Sequence, residues 1–198
     1  DDARFAPYRE PGNTKILFWL QPDKHYIGAA WYQRDIEIPE SFEGKTVLVR
    51  LERCHWETQL WVDGHAVGTR NSLVVPHEYD VTGQLTPGPH TLTLRVDNTY
   101  AIDVGENAHS VSDNTQTNWN GVVGAMNTVA RDRVAIEDVQ VYPEVRAKQI
   151  RVRISLRNAS GREASGALRL AATLQGGEAL PPLEKPVTLA AGDTSLEA

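Results

Sequence analysis

Cysteine, methionine and phenylalanine are scarce in this 198-residue sequence, which has one Cys, one Met and three Phe. The lone Cys54 excludes an intrachain disulfide. His55 stands beside it, but neighbouring residues on a strand point to opposite faces, so the two do not form a nucleophile and its base. Cys54 reads as a small buried residue. Long apolar runs are also missing: Ile16–Leu20, "ILFWL", is far short of a membrane span, and no membrane partner is expected. There is no basic block. With 26 acidic and 20 basic residues the formal charge is -6, and a nucleic-acid partner has no electrostatic footprint. The opening stretch "DDARFAPYREPG" lacks the apolar core of a signal peptide, which fits a cytosolic protein or one whose signal has been removed. No phosphate loop occurs, since Gly121–Gly124, "GVVG", is too short and opens no helix. No segment shows helical periodicity over three turns.

What the chain does have is period two. In "TLTLRV" (91–96), Leu92, Leu94 and Val96 alternate with Thr91, Thr93 and Arg95. In "QIRVRISLRN" (149–158), Ile150, Val152, Ile154 and Leu156 alternate with polar residues. "TVLVRL" (46–51) and "LRLAATL" (168–174) read alike. Such alternation builds antiparallel sheets with one buried face. Asp63-Gly64 between "LWV" and "HAV" predicts a two-residue hairpin. "TPGPH" (86–90), "NASG" (158–161) and "QGG" (175–177) break strands. Many short strands with turns at this spacing predict sandwiches.

Charge is uneven along the chain. Residues 1–142 hold 12 basic and 20 acidic residues, and residues 143–198 hold 8 and 6. The shift predicts a boundary near Pro143, with one β-sandwich at 1–142, a second β domain at 143–198, and "YPEVRAKQ" (142–149) as the linker. The second domain, at 56 residues, is short beside the roughly 100 of an immunoglobulin-like sandwich. The final "DTSLEA" shows no closing strand pattern, so the domain is expected to be incomplete.

Chemistry is harder to find. None of the six histidines (25, 55, 65, 77, 90 and 109) forms a helical i, i+4 pair. His55 and His65 could meet across a sheet, but no carboxylate or cysteine pattern completes a zinc site. No metal and no cofactor is expected. Glu52/Glu57 and Asp103/Glu106 are ordinary in an acidic chain. Nothing singles out the carboxyl pair, roughly 5–10 Å apart, that glycoside hydrolysis needs. No catalytic residue is assigned. What remains is "DNTQTNW" (113–119), where Asp113, Asn114, Gln116 and Asn118 lead into Trp119. An aromatic beside amide and carboxylate groups suits a sugar, with its CH faces and hydroxyls. A second reading has Trp119 as a core anchor and the amides as turn caps.

Several stretches then line up together. "GAAWYQRDIEIPESFEGKTVLVRLERCHWETQLWVDGHAVGTRNS" (28–72) is followed by "PHEYDVTGQLTPGPHTLTLRVDN" (76–98). This strongly resembles the N-terminal sugar-binding domain of glycoside hydrolase family 2, the family of bacterial β-galactosidases, β-glucuronidases and β-mannosidases. The marks are Trp31-Tyr32 with Arg34, Pro39, Gly44-Lys45, "WVDG" (61–64) with Gly68, "YDVT" (79–82) and "LRVDN" (94–98). "NWNGVVG", then "VAIEDVQVYPEV" (134–145), looks like the family's passage into its immunoglobulin-like domain. These residues also have local reasons: Gly68 permits a bend or close approach, and one of Trp31 and Tyr32 joins the core while the other covers an edge.

The resemblance implies an all-β fold: a jelly-roll (galactose-binding-like) β-sandwich followed by a partial immunoglobulin-like β-sandwich. It implies the non-catalytic, sugar-binding N-terminal part of a retaining exo-β-glycosidase, whose (β/α)8 barrel and two catalytic glutamates lie outside this chain. The implied partners are a terminal β-linked sugar and that barrel, and the implied location is periplasmic or secreted. In some members a loop just before a tryptophan like Trp119 reaches the barrel's active site; residues 113–118 occupy it here. They are less acidic than the β-galactosidase version, which argues against a metal ligand of that type and leaves the sugar open. The rival readings are a free-standing carbohydrate-binding module and a structural or adhesive β-sandwich.

Overall fold

A computed structural model describes residues 3–8, 10–11, 26–100, 103–105, 108–109 and 121–198. Its regular elements are twelve strands and two short 3-10 turns, Ala3–Tyr8 and Glu40–Phe42, with no α-helix among the described residues. The all-β expectation holds. The chain divides into two compact units, residues 1–43 with 47–129, and residues 44–46 with 130–198.

The first unit carries β1 (Ala29–Ile38), β2 (Thr46–His55), β3 (Glu57–Val62), β4 (His65–Asn71), β5 (His77–Asp80), β6 (Gly88–Asp97) and β7 (Gly121–Arg131). One sheet has the order β1-β6-β3-β4 and the other β5-β2-β7. The core lies between them. Val47, Val49 and Leu51 of β2 face Leu60 and Val62 of β3 and Leu94 and Val96 of β6, all at most 4% exposed. Each such side chain contributes about 1.5–3 kcal/mol on burial. The hairpin expected at Asp63-Gly64 is present. Both residues have positive φ, 49° and 79°, and Val62 pairs with His65 across the turn. Gly68 sits opposite Leu60, where the register slips by one residue.

Two polar arrangements in this unit escape any alternation rule. Asp63 accepts the Thr91 amide at 2.8 Å and the His90 Nδ1–H at 2.6 Å, while His90 Nε2–H donates to the Thr86 carbonyl at 2.8 Å. The turn is thereby tied to the start of β6. Deeper in, Thr58 Oγ1 lies 2.6 Å from both His77 Nδ1 and the Tyr79 hydroxyl. The other His77 nitrogen donates to the Ser72 carbonyl at 2.9 Å, which leaves Nδ1 to accept the Thr58 proton. All three side chains are 1% exposed or less. Buried polar groups are tolerated only when bonded in this way.

The second unit carries β8 (Val134–Glu144), β9 (Gln149–Asn158), β10 (Ala164–Leu170), β11 (Leu183–Leu189) and β12 (Gly192–Glu197). Its sheets have the orders β12-β9-β8 and β10-β11. Val152, Ile154 and Leu156 meet Leu168 and Leu189 in the core. Asn158, 2% exposed, anchors the "NASG" turn: its amide donates to the Arg162 and Leu189 carbonyls, and its oxygen accepts from Ser160.

Three sequence expectations need correction in this unit. Residues 142–149 are not a linker: Pro143 pairs with Ile150 and Glu144 with Gln149, so the segment is the tip of the β8–β9 hairpin. Pro143 is tolerated because β8 is an edge strand, where a missing N–H breaks no second ladder. The shift in charge near Pro143 reports composition, not pairing. The strand expected at 168–174 runs instead over Ala164–Leu170, and Thr173 makes only an isolated bridge to Ala179. "DTSLEA" does contribute a strand: β12 pairs with β9 from Gly192 to Glu197, with Leu196 packed on the core.

Candidate functional site

Asp113, Asn114, Gln116, Asn118 and Trp119, the sugar-binding candidates of the sequence, lie outside the described residues. The structure does describe the two roots of their segment. At the first, Asn98 accepts the Gly28 amide and donates to the Tyr26 carbonyl, each at 2.7 Å. Asp97 accepts the Thr99 amide at 2.9 Å and, through its backbone carbonyl, the Trp56 amide at 3.0 Å. Trp56 is 3% exposed, and its ring centre lies 5.6 Å from that of the half-exposed Tyr100. The chain thus leaves the sandwich from a buried indole and a buried amide.

The second root explains the glycines of "GVVG". Gly121 and Gly124 have φ of +81° and +89°, a region that favours glycine. A Cβ on Gly121 would stand 2.8 Å from the Tyr32 hydroxyl, and one on Gly124 2.2 Å from Glu52 Oε2. Glu52 uses this approach to accept the Ala125 amide at 2.8 Å. These glycines admit neighbouring side chains at the start of β7.

The structure also presents an aromatic pair that the sequence reading did not single out. Trp31 and Trp61 lie 5.3 Å apart, tilted by 33°, and Trp31 is 60% exposed. They stand on the outer face of the four-stranded sheet. Trp31 is opposite Arg95 in the β1–β6 ladder, and Trp61 opposite Thr93 in the β3–β6 ladder. Gln33 donates to Thr93 Oγ1 at 3.0 Å, and Arg95 reaches Glu57 at 3.4 Å and also pairs with Asp97. Neither Trp31 nor Tyr32 joins the core, contrary to expectation, because β1 is an edge strand and its residues keep one open flank. Trp31 and Trp61 both stood among the marks of the resemblance, and the alternation of Trp31, Gln33, Asp35 and Glu37 is the sequence signal for the outer face they share.

On the inner side, a cavity of about 840 Å³ lies between the two sheets of the first unit, lined among others by Tyr32, Arg34, Leu51, Leu94 and Met126. Its walls are mostly apolar.

Electrostatically the described residues are quiet. Burial pushes the Cys54 thiol up to about 12, so it stays protonated near neutral pH. Burial pulls His77 below the usual histidine value. The Asp63 hydrogen bond raises His90, and the Thr91 amide and His90 hold Asp63 down. Among the described residues no cluster of three or more His, Cys, Asp or Glu side chains could hold a metal ion. His55 ends β2 in one sheet and His65 begins β4 in the other, so the two do not meet in a ladder. What the arrangement offers chemically is an exposed aromatic face beside amides and a guanidinium, groups that stack on and hydrogen-bond to sugars.

No family model matches the chain. The β-glucuronidase of Rattus norvegicus is 29% identical over 82 residues, covering 38% of this chain and 13% of its own. The β-galactosidase large subunit of Latilactobacillus sakei is 23% identical over 161 residues, covering 76% and 24%. Among solved structures, a β-glucuronidase from glycoside hydrolase family 2 superposes with a TM-score of 0.72 at 18% identity, covering 89% of this chain and 20% of its own. A glycosyl hydrolase family 2 member from Bacteroides cellulosilyticus DSM 14838 gives 0.68 at 17%, covering 87% and 23%. The chain spans about a quarter or less of each of these proteins. Its fold is that of the β-sandwich region of glycoside hydrolase family 2 enzymes, in agreement with the resemblance carried by residues 28–98.

Proposed function

We propose that this chain is the non-catalytic, sugar-binding N-terminal part of a retaining exo-β-glycosidase of glycoside hydrolase family 2. The fold match carries the reading: it takes in nearly all of this chain but only about a fifth of a family 2 β-glucuronidase. Hydrolysis of the O-glycosyl bond belongs, on this reading, to a (β/α)8 barrel and its two glutamates elsewhere in the protein. The first unit is a jelly-roll sandwich and the second the start of an immunoglobulin-like one. The substrate is a carbohydrate with a terminal β-linked sugar, and the protein works in the periplasm or outside the cell.

Within that reading the segment Asp113–Trp119 supplies polar groups to a sugar held by the barrel. Trp56, Asn98 and Gly121 hold its roots to the sandwich. The test is kinetic. In the full-length enzyme, Asn118→Ala or Gln116→Ala lowers kcat/KM about tenfold or more, because one good hydrogen bond is worth about 1–3 kcal/mol when its buried partner is left unmet. Trp119→Ala lowers it at least as far and also destabilises the fold. Full activity in both amide variants would make the segment a turn and nothing more.

The exposed Trp31–Trp61 pair favours a second reading, a free-standing carbohydrate-binding module. The reading frame downstream of Ala198 separates the two: a barrel of about 250 residues supports the first, and a stop codon supports the second.

A further inference from the structure

The outer face of the four-stranded sheet carries side chains of a narrow kind. Residues opposite one another in an antiparallel ladder share a face, and every second residue along a strand returns to it. Trp31 lies in one row with Arg95, Gln59 and Thr69, and Trp61 in the next with Gln33, Thr93 and Ala66. None of these residues is buried. No Val, Leu, Ile or Met of β1, β6, β3 or β4 shares the face, since the bulged Val67 packs on the core instead. The large apolar surface here is the indole pair alone, with ring centres 5.3 Å apart and Trp31 60% exposed.

That composition selects an occupant. A protein partner buries a patch whose centre is apolar and poor in charge. Here the indoles stand among amides, hydroxyls and the Arg95 ion pairs with Glu57 and Asp97. Sugars present CH faces that stack on an indole and hydroxyls that amides and carboxylates bind. The charge on the face narrows the class. Asp35, Glu37, Glu57 and Asp97 share it with Arg95 as its one cation, which repels an anionic chain. The shape narrows it further. β1 and β4 are the two edges of the sheet, so the face is open at both ends and encloses no chain terminus.

We infer that the outer face of this sheet is a second carbohydrate site, which holds the interior of a neutral polysaccharide chain laid across the strands on Trp31 and Trp61. Gln33, Gln59, Thr69 and Thr93 supply the hydrogen bonds beside the indoles. The site uses none of Asp113–Trp119 and does not read a terminal sugar. It deepens the carbohydrate reading of the chain but needs no barrel: it anchors the protein to a polymer, whatever else the protein does there.

Affinity electrophoresis tests it. Residues 1–198 are run in native gels cast with galactomannan, xyloglucan or mixed-linkage β-glucan, and with polygalacturonate as the anionic chain. At least one neutral polymer retards the protein, and polygalacturonate does not. Trp31→Ala and Trp61→Ala each weaken that binding about tenfold or more, and Trp31→Phe keeps more of it than Trp31→Ala. Val74→Ala, 87% exposed and outside this face, binds as wild type. The urea midpoint of Trp31→Ala matches wild type, because the side chain is mostly in solvent, and separates lost binding from lost fold. No retardation by any neutral polymer overturns the inference. So does retardation that survives Trp31→Ala, or stronger retardation by polygalacturonate. Binding through Trp31 beside a longer enzyme that fails to cleave glycosides would keep this inference and sink the enzymatic reading. Cleavage of nitrophenyl glycosides with no binding through Trp31 would do the reverse.

Discussion

The two units use the same alternating pattern to different ends. Among the described residues, the first closes two sheets over a core cluster of twelve, and Tyr79 of that cluster joins Thr58 and His77 in a buried hydrogen-bond network. The second buries five residues and leaves an apolar stripe on β8 uncovered. The described histidines, 55, 65, 77, 90 and 109, also all fall within the first unit. Period two fixes which side chains share a face. It does not say whether anything lies across from that face, and stability depends on that second fact.

The sharpest way to break this comparison is to cut each core once. Leu60→Ala and Ile154→Ala remove side chains that are both 1% exposed, and each costs about 2–5 kcal/mol. The smaller core tolerates that loss less well. Urea or thermal denaturation shows Ile154→Ala melting the second unit while the first stays folded. A single cooperative loss of both units would erase the distinction. Val139→Ala, on the bare stripe, stays within about 0.5 kcal/mol of wild type in residues 1–198.

Next come the buried polar knots. Tyr79→Phe leaves the Thr58 carbonyl without the phenol donor, and Asn158→Ala strips one donor each from the Arg162 and Leu189 carbonyls. Each costs about 1–3 kcal/mol in chemical denaturation. If Asn158→Ala proves neutral, the "NASG" turn holds itself and the second unit is better organised than its core suggests.

Hydrogen exchange compares the units without mutation. Amides of β9 open at a lower free energy than those of β6, because fewer buried contacts hold them. Equal protection in one cooperative step would argue for a single domain.

The smallest effects are those of histidine titration, and they belong to the first unit. His77 has its pKa lowered by burial, so its contribution is complete above the unfolded value near 6.5 and is lost as pH falls below it. His90 has its pKa raised by Asp63, so its contribution is complete below that value and is lost as pH rises through the folded pKa. His77→Gln flattens the acid limb of the stability profile, and His90→Gln the alkaline limb. The second unit shows neither limb, and a histidine-like titration there would contradict the assignment.

Much of this was legible in the residues. The Asp63-Gly64 hairpin and the inward Leu94 and Val96 followed from turn chemistry and alternation. Less legible was anything that depends on a partner strand. Pro143 sits inside a hairpin because its neighbours find partners on β9, which a change in net charge cannot reveal. "GDTSLE" became β12 because β9 had an open side, although its own pattern is weak. The Trp31–Trp61 contact needs β6 between two strands distant in sequence. The glycines at 121 and 124 answer to Tyr32 and Glu52, far away along the chain. For the candidate site, the aromatic and amide make-up of 113–119 singled out the segment, the resemblance implied its place beside a barrel, and only the roots of the segment gained a physical account.

The central claim is that this region serves a glycosidase without performing the cleavage. Turnover of nitrophenyl β-galactoside, β-glucuronide and β-mannoside tests it most directly, measured for residues 1–198 and for the longer enzyme that the proposed function calls for. The account predicts no release of nitrophenol above buffer by residues 1–198, and turnover of at least one of the three by the longer protein. Hydrolysis by residues 1–198 that disappears when one of its own carboxylates is replaced would contradict it.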